Sequence, residues 1–307
     1  MKKNFKNNLQ VNETERWWNS KNILKFDNQY KKNYYDPRIA LYQNSRMNKV
    51  YEFLNEEKFT NILEIGFGAG QLMSRIIKKK KINYYGVDIS KPLLDRAKKR
   101  IKKIKTKSKI NLSLQNVDKG LKFNSNKFDL IVAVGIFHYS CNLNKSLKEV
   151  YRILKPGGTF IIAQRSGYAI SYLFDIRYLI RTFLFLISDQ KYEIFPSFRS
   201  ILCDTKLGIF FKKYEKNKKF FNSKFMLKYH DFHKFKIKKY LMTPFRLKKN
   251  LNLASFKILK FEGALFEVSL ENSKLNAICD KYIKLFKLSW LFKNLTSVLV
   301  FKVKKPN

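Results

Sequence analysis

The sequence predicts an α/β protein with a doubly wound, mostly parallel sheet of seven strands. Three observations predict it. A short apolar strand passes through three alternate glycines into a helical pattern between residues 61 and 77. A second strand ends in a carboxylate, Asp88, and a nearly continuous apolar run from Lys127 to Val134 has the composition of a strand buried on both faces. With 307 residues the chain can bury a full α/β core and still carry an additional subdomain.

The chain is polar from residue 1 to about residue 28 except for Trp17 and Trp18; within an N-terminal region 1–44 it reads either as a disordered tail with a tethered segment or as a helical cap, and the tryptophan pair favours docking. Tyr30, Tyr34 and Tyr35 precede Asp36-Pro37, a helix-start signal. A helical pattern then runs from Arg38 to Asn55, with Ile39, Met47, Val50, Tyr51 and Leu54 largely on one face. It leads into Asn61-Ile-Leu-Glu-Ile-Gly-Phe-Gly-Ala-Gly-Gln71, a strand, a tight turn and a helix start. Alternate glycines permit positive φ and let backbone approach a ligand closely, and the free N–H groups of a new helix favour an anionic group. A cofactor is therefore expected on this turn. A dinucleotide fingerprint needs glycine at 71, where Gln stands. The pattern present is Glu64-x-Gly66-x-Gly68-x-Gly70.

The second strand, Ile82 to Ser90, places Asp88 18 residues beyond Gly70, where a doubly wound fold puts an acid that accepts hydrogen bonds from ribose hydroxyls. Ser90 caps a helix to Ile104 with Pro92 in its first turn. The run Lys98–Lys109 is either a solvated basic face or a phosphate site. The third strand, Ile110–Leu114, leads to a loop containing Asp118. The fourth ends in Gly135-Ile-Phe-His-Tyr139, at the carboxyl edge where open α/β sheets bind ligands. A helix from Ser146 to Leu154 precedes Lys155-Pro-Gly-Gly158, whose proline and glycines stop it before the fifth strand, Phe160–Ala163.

On these residues the chain resembles the class I S-adenosylmethionine (SAM)-dependent methyltransferases, in particular the ubiquinone-biosynthesis-like group. The landmarks are the glycine turn, Asp88, the end of the fourth strand and Glu149-Val-Tyr-Arg-Ile-Leu-Lys-Pro-Gly-Gly158. The resemblance implies a Rossmann-like seven-stranded sheet and SAM as cofactor. It implies that Gly66, Gly68 and Gly70 meet the methionine end, that Glu64 supports the turn, that Asp88 with Ile89 holds the ribose, and that Gly135 to His138 border the transferred methyl group. Asp118 is implied near the adenine, although alignment on Phe123 puts Val117 where the family has its acid. No metal is required. His138 reads either as a general base for the acceptor or as a residue that shapes the pocket. The amino-methylating Asn-Pro-Pro-aromatic motif and the Pro-Cys pair of cytosine C5 enzymes are missing, so the turn resembles the small-molecule branch.

Beyond Gln164 the resemblance thins, and residues 166–242 read as an insertion that selects the acceptor. Ser171–Ser188 is an apolar window with Arg177 and Arg181 on one helical face, a buried lid or a contact for a bilayer interface or lipid-like acceptor. Residues 190–240 interleave lysine with aromatics, and His230 and His233 lack the further ligands a zinc site needs. Residues 243–307 return to the sheet: a helix Thr243–Leu253, a strand Phe256–Gly263, an apolar helix Tyr282–Leu295 containing Trp290, and a last strand Ser297–Val303.

Lys and Arg number 64 against 23 Asp and Glu, a net charge of +41, which predicts an anionic partner. An anionic membrane surface is the favoured one and nucleic acid the other. An AT-rich coding sequence would account for part of the lysine excess. Three scattered cysteines, Cys141, Cys203 and Cys279, fit a reducing cytoplasm and no metal spacing. Without a signal-peptide core or an apolar run of bilayer length, a cytoplasmic protein, soluble or peripheral on the inner face of the membrane, is expected. The expected function is methyl transfer from SAM to an oxygen, nitrogen or carbon of a small-molecule or lipid-like acceptor. RNA methylation and a catalytically inactive accessory role are the alternatives.

Overall fold

The computed structural model describes residues 11–20, 23, 37–79, 81–166, 243–266, 273–286 and 293–307. Helix α1 covers residues 11–18. Then follow α2 (Pro37–Asn55), β1 (Asn61–Ile65), α3 (Gln71–Lys79), β2 (Asn83–Asp88), α4 (Lys91–Ile101), β3 (Lys109–Leu114), β4 (Phe128–Val134), α5 (Leu143–Ile153) and β5 (Leu154–Arg165). After the insertion come α6 (Pro244–Leu253), β6 (Lys257–Gly263), α7 (Ser273–Leu285) and β7 (Val298–Lys304). The expected window 171–188, the basic-aromatic stretch with His230 and His233, Cys203, Trp290 and the Tyr30, Tyr34 and Tyr35 cluster lie outside the described residues.

The seven strands form one sheet in the order β3-β2-β1-β4-β5-β7-β6. β1 to β5 pair in parallel, and β7 runs antiparallel between β5 and β6. The chain winds outward from β1 in one direction and from β4 in the other. The carboxyl ends of these two neighbours therefore flank the switch point at which open α/β sheets bind ligands.

Period-two alternation divides the core into two layers. Leu63, Ile65, Ile131, Ala133, Phe160, Ile162 and Phe301 face the layer under α5 and α6. Ile62, Tyr84, Leu130, Val132, Ile161, Ala163 and Val300 face the layer under α2, α3 and α4. α2 brings Met47, Val50, Phe53 and Leu54 into the second layer, as its spacing predicts.

Three element boundaries differ from expectation. α5 starts four residues before Ser146's successor, at Leu143, because Asn142 caps it by accepting the Lys145 N–H, and the Ser146 hydroxyl is used elsewhere. β5 begins at Leu154 and continues to Arg165, so the Lys-Pro-Gly-Gly turn lies within its irregular first half. Of the helix expected over Tyr282–Leu295, residues 282–285 are the end of α7 and Lys293–Leu295 forms a single 3-10 turn, while 287–292 lie outside the described residues. The reason is an inverted amphipathic pattern. Asn276 is buried and Asp280 accepts the Phe266 N–H at 3.0 Å, while Leu275, Ile278, Tyr282 and Leu285 are exposed. Reading apolar residues as inward places such a helix out of phase. α7 packs against α2.

Candidate functional site

The turn after β1 is made by glycines that no other residue replaces without strain. Gly66, Gly68 and Gly70 have φ of +74°, +56° and +81°. A Cβ on Gly66 would lie 2.0 Å from Ile136 Cδ1, and one on Gly70 2.5 Å from Met73 Cε. Gly68 differs: among the described residues nothing approaches a Cβ there within 4 Å, so the space above it is open. The Arg100 Nε donates to the Ala69 carbonyl at 2.7 Å and ties α4 to the turn.

Asp88 closes this turn. Its Oδ2 accepts the Gly68 N–H at 2.8 Å and its Oδ1 the Ser90 N–H at 2.9 Å. The loop and the acid, expected to enclose one ligand, are thus joined directly on the same side of the sheet. Burial raises the Asp88 pKa against the lowering effect of the Ser90, Gly68 and Ile89 N–H groups. Glu64 is buried beneath the turn and accepts the Tyr84 hydroxyl and the Met73 N–H at the start of α3. Burial, and then Asp88, push its pKa up to about 8 against the Tyr84 and Met73 hydrogen bonds, so near neutral pH it is mainly uncharged.

Asp118, expected beside the adenine, is turned the other way. Its Oδ1 accepts the hydroxyls of Ser140 and Ser146 at 2.5 and 2.6 Å, and its Oδ2 the Cys141 N–H at 2.9 Å. This carboxylate ties the loop after β3 to the turn after β4. The backbone of residues 116–119 and the side chains beside it are what remain for a base.

The N-terminal segment docks as its tryptophans predict. Trp17 packs with Ile23, Ala69 and Leu93, and both Trp17 and Trp18 contact Tyr139, at 6.5 and 5.3 Å between ring centroids. Asn19 donates to the Ile89 carbonyl at 3.0 Å and accepts the Lys91 N–H at 2.8 Å. The Ser90 hydroxyl donates to the Trp18 carbonyl, and Glu15 takes hydrogen bonds from Asn116 and Lys119. α1 therefore bridges the ends of β2, β3 and β4 above the glycine turn.

At the end of β4, Gly135 has φ +71° and donates its N–H to the Ala163 carbonyl at 2.7 Å. A Cβ there would lie 2.2 Å from Nη1 of Arg46, a buried side chain from α2. Phe137 is fully buried and anchors the following 3-10 turn, Phe137–Tyr139. His138 stands half-buried, with Nδ1 3.1 Å from Oε1 of the buried Gln164 at the end of β5 and its ring 4.0 Å from that of Tyr139. Among the described residues no group of side chains gathers as a metal site, and no helix is long and apolar enough to cross a membrane.

The structure brings Glu64, Gly66, Gly68, Gly70, Asp88 and Ile89 together on one side of the switch point, and Gly135 and His138 on the other. Sequence reasoning missed Arg46, Gln164, Tyr84 and Asn19. Arg46, Gln164 and Asn19 come from elements distant in sequence from the glycine turn, and Tyr84 lies on β2 with Asp88, where it read as one more apolar strand residue; only Gln164, next to the end of an expected strand, carried a usable signal.

A family model described as a methyltransferase domain matches residues 63–162. A demethylmenaquinone methyltransferase of Leptospira interrogans is 30% identical over 103 residues, 33% of this chain and 41% of that protein. A ubiquinone/menaquinone biosynthesis C-methyltransferase of Rickettsia prowazekii is 34% identical over 113 residues, 35% of this chain and 45% of that protein. The chain thus spans less than half the length of these two relatives. In fold it is similar to the solved structure of a SAM-dependent methyltransferase from Methanosarcina mazei, with a TM-score of 0.53 at 17% identity over 83% of this chain and 97% of that one. Residues 63–162 thus match a methyltransferase domain, and sheet order, glycine turn and closing acid agree with the fold of the class I SAM-dependent methyltransferases.

Proposed function

We propose that this chain transfers the methyl group of SAM to a nucleophilic oxygen, nitrogen or carbon of a small-molecule or lipid-like acceptor. The observation that carries the reading is the hydrogen bond from Gly68 to Asp88 at the switch point, with open space above Gly68. The residues present fit the cofactor. Asp88 spends its lone pairs partly on backbone N–H groups, and a carboxylate has about four acceptor positions, which leaves room for ribose hydroxyls. α3 opens directly after the glycine loop, and the N-terminus of a helix favours an anionic group. When bound, SAM supplies a methyl group on an already activated sulfonium.

The protein's own work is alignment and exclusion of water. α1 covers the strand ends, and positioning of this kind accounts for a large share of the acceleration of a bimolecular transfer. If Gln164 Oε1 accepts from Nδ1 of His138, Nε2 is left as the basic nitrogen, the form a general base for the acceptor needs.

Two observations support a lipid-like acceptor at an anionic membrane surface. The Leptospira relative is named a demethylmenaquinone methyltransferase and the Rickettsia relative a ubiquinone/menaquinone biosynthesis C-methyltransferase. α7 and the residue after it present Ile278, Tyr282, Leu285 and Phe286 outward among exposed Lys274, Lys281 and Lys284. The test is incubation of labelled SAM with the protein and, in separate reactions, lipid extract, RNA and small metabolites. Label in the lipid or metabolite fraction is the expected result. Label in RNA sinks the acceptor class. SAM binding with label in no fraction turns the reading to an inactive accessory protein.

A further inference from the structure

We infer that the basic edge formed by the turns before β2 and β3 docks the sugar–phosphate backbone of a nucleic acid. The inference goes beyond the methyl-transfer reading and stands without it.

The chain has no acidic residue between Glu64 and Asp88, nor between Asp95 and Asp118. Folding sets these two stretches side by side. The Thr106 hydroxyl donates to the Ile77 carbonyl at 2.7 Å, the Ile82 N–H to the Ser108 hydroxyl at 3.2 Å, and the Lys109 N–H to the Ile82 carbonyl at 2.9 Å. Exposed Lys78 and Lys81 are thereby held beside the turn before β3. Along that turn exposure alternates: Lys103, Lys105, Lys107 and Lys109 face solvent, while Ile104, Thr106, Ser108 and Ile110 are half-buried. This is the period of an extended chain, which spaces same-side side chains by about 6.6 Å. The result is a row of ammonium groups.

Helix C-termini attract cations, which accounts for Lys98 and Lys99 in the last turn of α4. That attraction fades within one turn, and the row lies past the end of the helix. A coding bias toward lysine does not explain the row either, because lysines elsewhere are matched by acids. Around β6 and β7, Lys49, Lys260 and Lys302 each pair with Glu56 or Glu262. Among the described residues no lysine of the row makes an ion pair. Neighbouring like charges repel, and a polyanion laid along the row turns that repulsion into attraction.

The arrangement favours a phosphodiester strand over a bilayer. A linear row matches charges that repeat along a strand, whereas lipid headgroups spread theirs over a plane. Residues 78–81 and 98–109 contain no aromatic residue, and Ile101 and Ile104 are packed against the core. The edge therefore offers no apolar group to insert among acyl chains and no ring to stack on a base. Contact is with the backbone alone and independent of sequence. The edge lies at the amino ends of the strands, whereas Asp88 and the glycine turn lie at the carboxyl ends, roughly 17 Å away along the six residues of β2. A nucleic acid held here is a docking partner and not the methyl acceptor.

The test is fluorescence anisotropy of two short labelled RNA duplexes of unrelated sequence, titrated with the wild-type chain and two charge-matched variants. One variant combines Lys103→Gln, Lys105→Gln, Lys107→Gln and Lys109→Gln. The other combines Lys145→Gln, Lys148→Gln, Lys248→Gln and Lys249→Gln, at exposed positions of α5 and α6. Lys78→Gln with Lys81→Gln, across from the row, is a milder third variant. Circular dichroism and thermal melts confirm folding. The same chains are sedimented with vesicles of phosphatidylglycerol and phosphatidylcholine.

Both duplexes should bind equally, with log affinity falling linearly in log salt. The row variant should lose about three to four from that slope, close to one per phosphate contact, and at least about tenfold in affinity near 100 mM salt. The third variant should lose about half as much slope, and the α5 and α6 variant should stay within about threefold of wild type. Equal losses in the two charge-matched variants, or no duplex binding by the wild-type chain, overturn the inference. Vesicle binding that depends on the row and exceeds duplex binding at equal phosphate concentration overturns the partner and puts a membrane in its place.

Discussion

At the ends of β1 and β2 the site is built from main chain, and at the ends of β4 and β5 it is built from long side chains. The first half consists of three glycines, the N–H of Gly68 and one short acid that returns to it. The second half gathers Arg46 from α2, His138 from a 3-10 turn and Gln164 and Arg165 from a strand end. A backbone cradle suits a ligand whose shape never changes. Side chains delivered from separate elements suit a ligand that differs from one enzyme to the next.

If the main-chain half holds the cofactor, the largest loss comes from its single acid. Asp88→Ala removes the acceptor of the Gly68 and Ser90 N–H groups together with the ribose contact. Calorimetry should show adenosylhomocysteine binding weakened about 100-fold or more. Unchanged affinity would break the comparison outright.

Gly66→Ala tests the cradle as structure. It sets a Cβ against Ile136 and forces an L-residue into positive φ, so denaturant unfolding should report about 1–3 kcal/mol of lost stability. Trp17→Ala separates cap from cradle. The melting temperature should move little, while adenosylhomocysteine dissociates about tenfold faster in stopped-flow, equivalent to one lost aromatic pair.

Glu64→Gln is the smallest change at neutral pH, where the acid is already mainly uncharged, and it sharpens the comparison by pH. The folded pKa of about 8 lies above the ordinary 4.5, so the folded state holds a proton that the unfolded state has lost between those values. Wild-type stability contributed by this group therefore falls as pH rises toward about 8 and then levels. Thermal melts of the Gln variant from pH 5 to 9 should show a flatter profile, and identical profiles would reject the assignment.

The difference between the halves also explains what the sequence made legible. Glycine spacing, the strand-ending acid and apolar strand runs are local signals, so β1 to β5 and the cofactor turn were readable. Asp118 was readable as a loop acid but not in its orientation, because the serines that claim it, Ser140 and Ser146, come from the other side of β4. Arg46 looked like one more basic residue on an amphipathic helix, and only the missing Cβ of Gly135, far along the chain, gives it a place. α7 failed for the opposite reason: its polar face is inward, which periodicity alone reverses.

The docking of α1 has a kinetic corollary. Glu15, Asn19 and the two tryptophans fasten one short helix to three separate strand-end loops, so a nucleoside bound beneath it would leave only after several weak fastenings release together. On the proposed methyl-transfer reading, release of α1 would then pace turnover, and the expected outcome is a rate that falls with the viscosity of the medium.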